Sequence, residues 1–98
     1  MQATGGNPDL GSVPRFRPGV CYELDRERGL WMVRRPEGDF TPEPASTEVM
    51  ALIDGQRSLA QIAQHMSQAS GKPPAQTRQT VLRVADELVG LGVLRLEG

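Results

Sequence analysis

Cysteine, histidine and lysine each occur once in this chain, and aromatic residues occur only four times. The lone cysteine, Cys21, excludes an intramolecular disulfide and fits a reducing compartment. One Cys and one His cannot supply the usual zinc patterns, so no metal is expected. A surplus of one charge is missing too: 11 basic residues stand against 12 acidic ones, a net of −1. That balance argues against a polyanion-binding or membrane-adsorbing surface. No apolar run approaches the roughly 20 residues that cross a bilayer. The N-terminus lacks the basic-then-apolar layout of a signal peptide. The expectation is therefore a soluble, cytoplasmic, single-domain protein. With only Phe16, Tyr22, Trp31 and Phe40 as aromatics, aliphatic residues and Met must build most of its core. At this length roughly 60–65% of the unfolded chain's surface can be buried, which makes a modest core.

Reactive constellations are equally scarce. A catalytic site needs a nucleophile with a base, a pair of tuned acids, or a metal. His65 stands between Gln64 and Met66 with no Cys or acid at ligand spacing, and is expected at the surface. Cys21 falls in a strand pattern, where a small buried hydrophobe is expected. There is no phosphate loop and no GxGxxG. The acidic residues Asp25, Glu27, Glu37, Asp39, Glu43 and Glu48 sit mostly at turns and caps. The chain reads as a binding module: not an enzyme, and holding no cofactor.

What is present is a change of hydrophobic period near the middle. Residues 1–13, rich in Gly and small polar residues, read as a flexible tail, and residues 14–98 as the domain. Val20, Tyr22 and Leu24 alternate as in a strand. Residues 25–29 read as a hairpin turn, and Leu30-Trp31-Met32-Val33 as the returning strand, apolar on both faces. Pro36-Glu37-Gly38 is a second turn. Asp39-Phe40-Thr41 leaves room for a very short third strand before Pro42 and Pro44. From Pro44 the period becomes helical, through Val49, Met50, Leu52 and Ile53 to Asp54-Gly55. Ser58-Leu59-Ala60-Gln61 is a capping box that opens a second helix running to about Ala69. A third helix is predicted over 75–91, closed by Gly92, and residues 93–96 form a short extended segment. The fold class is α+β, a winged helix-turn-helix with three short antiparallel strands followed by three helices.

The third helix bears on function. Val81, Val84, Leu88 and Leu91 form one apolar stripe. Leu82, Ala85 and Val89, continued back to Arg78, form a second about a quarter-turn away. Together they exceed the ~100° apolar face usual for a surface helix. Either the helix is sunk deeply in its own core, or the second stripe is a groove wall awaiting a partner's side chains. A short edge strand around Phe40, beside such a wall, is able to accept an extended peptide. Duplex DNA is the poorer match. Arg78 and Arg83 are accompanied by Asp86 and Glu87, and Lys72 is the only lysine, whereas phosphate neutralisation supplies most non-specific affinity.

The order and spacing of these motifs resemble PqqD, the pyrroloquinoline quinone biosynthesis protein D family. Pro14 and Gly19 precede strand, turn and strand. Then come Pro36-Glu37-Gly38, a gap of fifteen residues, Asp54-Gly55, and Ser58 to Ile62. The resemblance implies a peptide chaperone. It would bind a ribosomally made, PqqA-type precursor by strand addition and present it to a PqqE-type radical S-adenosylmethionine enzyme. It implies a peptide site at Gly38, Asp39, Phe40, Thr41 and Pro42, together with Arg78, Leu82, Ala85 and Val89. Pro42 departs from the family's apolar residue at the end of the third strand. Lacking an N–H, it shortens the register open to a guest strand. Two alternatives remain open: a recognition element of another modified-peptide pathway, and a winged-helix DNA-binding protein.

Overall fold

The computed structural model describes residues 9–97, and its order is strand, strand, strand, helix, helix, helix, strand. The strands are β1 (Val13–Phe16), β2 (Cys21–Asp25), β3 (Leu30–Arg34) and β4 (Leu94–Glu97). The helices are α1 (Pro44–Ala51), α2 (Leu59–Ser70) and α3 (Pro74–Gly90). The class is α+β as expected, but the strand inventory differs. Four strands form two separate two-stranded antiparallel sheets, β1–β4 and β2–β3. The third strand expected at residues 39–41 is reduced to one bridge, Val33 to Phe40.

The strand that the sequence did not announce is β1, which contains Pro14. Its tolerance follows from parity. Arg17 N–H donates to the Val93 carbonyl at 2.9 Å, so the odd-numbered β1 residues bond toward β4 and Pro14 turns its missing N–H away. Pro14 is fully buried, and opposite Arg15 stands Arg95. Glu97 relieves that like-charge pair, 2.6 Å from Arg15 and 3.4 Å from Arg95.

Of the tail expected over residues 1–13, residues 1–8 lie outside the described residues. From Asp9 onward the chain is docked. Ala60 N–H donates to the Leu10 carbonyl and Leu59 N–H to the Ser12 carbonyl, both at 2.9 Å. The N-terminal segment thus satisfies amides in the first turn of α2 that have no partner within the helix.

The core lies between the three helices, the inner face of β3, and β4. Val33, Val49, Leu59, Ile62, Val81, Val84 and Leu94 are fully buried there. The hairpin's outer face carries Cys21, which is exposed rather than buried. Tyr22 pairs with Val33 and faces inward, so the alternating Cys21 and Glu23 must face out. His65 is exposed as expected. No helix among the described residues is long and apolar enough to cross a membrane.

Two local devices fix the helix junctions. The capping box is present: Ser58 Oγ accepts from Gln61 N–H at 3.2 Å, and Gln61 Oε1 accepts from Ser58 N–H at 2.8 Å. Between α1 and α2, Asp54 accepts from the backbone N–H groups of Arg57 and Gln56 at 2.8 and 2.9 Å. Gly55 follows at φ +80°, where a Cβ would stand 2.9 Å from the Arg15 guanidinium.

Ser58→Ala is expected to lower stability by about 1 kcal/mol, which thermal unfolding should read as a Tm drop of about 4–8 °C for a domain this size. The amides of Arg57 first, then Gln56, hold the Asp54 carboxyl below its ordinary value of 3.8. A carboxyl depressed in the folded state stabilises above its unfolded pKa and loses that contribution as pH falls through the folded value. Wild type should therefore exceed Asp54→Asn in urea midpoint near neutrality, and the gap should close as pH drops below 3.8.

Candidate functional site

The site is built from the turn after β3. Gly38 N–H donates to the Arg35 carbonyl at 3.0 Å and closes a four-residue turn. Gly38 holds φ +136°, a conformation that favours glycine. The chain then runs beside β3 for a single pair. Val33 and Phe40 exchange both of their N–H···O=C bonds at 2.9 Å, and Pro42 and Pro44 end the ladder.

That exchange fixes the direction of the neighbouring groups. In an antiparallel pair, a residue bonding inward is flanked by residues whose N–H and C=O point the other way. Asp39 and Thr41 therefore turn their backbone groups outward, and no other backbone group among the described residues bonds to them. Their side chains lie on the outer face over β3. Thr41 Oγ1 is 3.2 Å from Met32 Sδ, and Asp39 accepts from Arg34 at 2.7 Å. Arg34 also donates to Glu23 at 2.7 Å. The two carboxylates, Glu23 more strongly, raise the guanidinium pKa above its ordinary value.

Arg35 locks this segment to the helices. Its Nε donates to the Gly38 carbonyl at 2.8 Å, and a second guanidinium nitrogen donates to the Leu91 carbonyl at the end of α3. The guanidinium carbon lies 5.0 Å from the centroid of the Phe40 ring. A cation at a helix C-terminus also meets the negative end of the macrodipole.

Between the Phe40 segment and the end of α3 lies an open groove of about 440 Å³. Phe40, Thr41 and Pro42 form one wall, and Glu87, Leu88 and Leu91 the other. Leu88 is buried, whereas Leu91 is 42% exposed. Leu91 was assigned by sequence to the core stripe. It stands one residue beyond α3, between Gly90 and Gly92, where the helix is leaving the core.

The structure divides the expected site. Gly38 to Pro42 form one continuous edge, as the sequence suggested. The Arg78, Leu82, Ala85 and Val89 stripe lies on another side of α3. Arg78 lines a separate cleft with Ala60, Ala63, Gln64 and Ser67 of α2. Ala85 is fully buried, and Leu82 and Val89 are half-buried against the core. At about 100° per residue the stripe is centred roughly half a turn from Glu87 and Leu91. Its apolar members pack against the core, and Arg78 lies beside α2. Glu87 and Leu91 line the groove but lie outside the stripe that the sequence singles out for a partner. The helical phase shared by Thr80, Glu87 and Leu91 was the available signal.

Comparison with known proteins places this geometry in context. The family described as Coenzyme PQQ synthesis protein D (PqqD) matches residues 31–94. A PqqA binding protein of Gluconobacter oxydans is 33% identical over 84 residues, covering 86% of this chain and 88% of that one. A PqqA binding protein of Xanthomonas euvesicatoria pv. vesicatoria is 35% identical over 85 residues, covering 87% and 92%. Among solved structures, the solution NMR structure of the PqqD truncation of Methylobacterium extorquens PqqCD superposes with a TM-score of 0.78. It shares 28% identity and covers 92% of this chain and 96% of that one. That protein is described as a stand-alone recognition element for ribosomally synthesized and post-translationally modified peptides. With its family matched from β3 through α3 and its relatives matched over most of both chains, this protein belongs to the PqqD family.

Proposed function

We propose that this protein binds a PqqA-type precursor peptide as an added strand along Asp39–Thr41 and presents it to a modifying enzyme in pyrroloquinoline quinone biosynthesis. The observation that carries the reading is the outward, unbonded backbone of Asp39 and Thr41 beside the groove of Phe40, Pro42 and Leu91. An extended peptide laid there completes those hydrogen bonds and buries alternate side chains against Phe40 and Leu91. Its register is short, because Gly38 begins the edge and Pro42 offers no N–H. The relatives named PqqA binding protein support the choice of guest. The role is binding and delivery, with the chemistry left to a radical S-adenosylmethionine enzyme in the cytoplasm. The α2–α3 pair flanked by the β2–β3 hairpin supports a winged-helix description of the fold.

Titration of isotope-labelled protein with a synthetic PqqA-type peptide tests this directly. Amide shifts should concentrate at Gly38–Thr41 and Glu87–Leu91; saturating peptide that moves none of them would overturn the reading. Two leucines separate groove from core. Leu91→Asp is expected to weaken peptide binding at least tenfold with Tm nearly unchanged, since burying a Leu is worth about 1.5–3 kcal/mol. Leu82→Asp should instead lower Tm while leaving the affinity of the folded fraction intact. Thr41→Pro deletes one outward N–H without touching the Val33–Phe40 bonds. Isothermal titration should show about a tenfold loss of affinity for that variant.

A further inference from the structure

The groove beside Phe40 has apolar walls and an acidic rim. Two exposed carboxylates, Glu43 and Glu87, line it together with no basic side chain. Glu43 is the N-cap residue of α1, yet its side chain makes no capping bond. Among the described residues it enters no ion pair either. Glu87 pairs only with Arg83, at 3.4 Å and with both side chains about half in solvent. The end of α3 adds to the negative field. A helix C-terminus carries partial negative charge and favours a cation there, but the last turn of α3 holds no basic residue. Arg35 offsets part of this by bonding the Leu91 carbonyl. Gly90, which also lines the groove, has a carbonyl that accepts from no backbone N–H among the described residues.

Ser46 is an independent indication. It is only 6% exposed and lines the same groove. Its hydroxyl enters no hydrogen bond among the described residues. Yet no fully enclosed side-chain oxygen or nitrogen among them lacks a partner. The Ser46 oxygen must therefore open onto the groove, where it is free to accept a hydrogen bond.

We propose that this groove is a socket for a basic side chain, so that the guest strand places a Lys or Arg alongside Phe40. Given strand addition along Asp39–Thr41, on which the socket depends, the guest residue alongside Phe40 projects over the same face as the Phe40 ring in either strand direction. A long basic side chain suits both parts of the groove. Its aliphatic stem lies across Phe40, Pro42 and Leu91, and its charged head reaches Glu43, Glu87 and the Ser46 hydroxyl. Each of these three groups can accept a hydrogen bond, and a Lys or Arg head carries donors only. An acidic guest residue would meet two like charges and no cation. An aliphatic one would fill the walls but leave both carboxylates unneutralised. Glu43 and Glu87 therefore act as specificity-determining residues, and they select the charge of the guest.

Isothermal titration of the full chain with a synthetic PqqA-type peptide tests the socket, using variants in which each Lys or Arg in turn becomes norleucine. Norleucine keeps the stem and removes the charge. One such replacement should cost about tenfold in affinity against wild type, and about twofold or less against the Glu43→Gln/Glu87→Gln double variant. Added salt should weaken the parent peptide more than that norleucine variant. Glu43→Lys should bind a peptide carrying Glu at the same position more tightly than wild type does. Norleucine variants that all bind like the parent, or a parent that binds at Gly38–Thr41 without any basic residue, overturn the socket and leave strand addition standing. A loss that persists undiminished in the double variant also overturns it, because the charge then acts elsewhere. A parent peptide that fails to bind, or binds without moving the amides of Gly38–Thr41, overturns strand addition and the socket with it.

Discussion

The two hydrogen bonds between Val33 and Phe40 orient every other backbone group in the hairpin. They turn the Phe40 backbone toward β3, which leaves the N–H and C=O groups of Asp39 and Thr41 facing outward. A shift of one residue in this pairing would exchange which residues of the segment point outward and turn Phe40 away from the groove. One bridge is a weak device by itself, and the surrounding structure has to hold it.

Arg35 supplies much of that support. It bonds the carbonyl of Gly38 within the turn and that of Leu91 at the end of α3, and it lies over the Phe40 ring. The groove's two walls thus share one cation. Arg34 braces the outer face in the same way, joining Glu23 of β2 to Asp39 of the bridge segment. Exposed ion pairs of this kind add little to global stability. Their effect here is geometric, since they restrict where Asp39 and Phe40 can go.

The helical half of the chain was largely legible from residues alone. Pro44, the Ser58–Gln61 box and the glycines after each helix are local signals, and local signals survive without tertiary knowledge. The Gly38–Pro42 edge was legible for a similar reason, because turn chemistry and prolines delimit it. The stripe of Arg78, Leu82, Ala85 and Val89 was harder to read. Two apolar stripes a quarter-turn apart say that a helix is covered widely, but not which stripe fills the core and which lies half-buried at its margin. That choice depends on how α2 docks, and periodicity does not carry it. Cys21 illustrates the same gap, since alternation gives two faces without saying which one is inside.

By itself the sequence determined the class of the fold and the order of its main elements. These follow from short-range patterning and from counts of residue types, which need no three-dimensional partner. Tertiary structure decided the pairing of β1 with β4, the reduction of the third strand to a single bridge, and the side of α3 that faces the groove. Each of these depends on contacts between segments far apart in the chain. Pro14 is tolerated only because β4 lies on its other side, and Leu91 is half-exposed only because α3 leaves the core just before it.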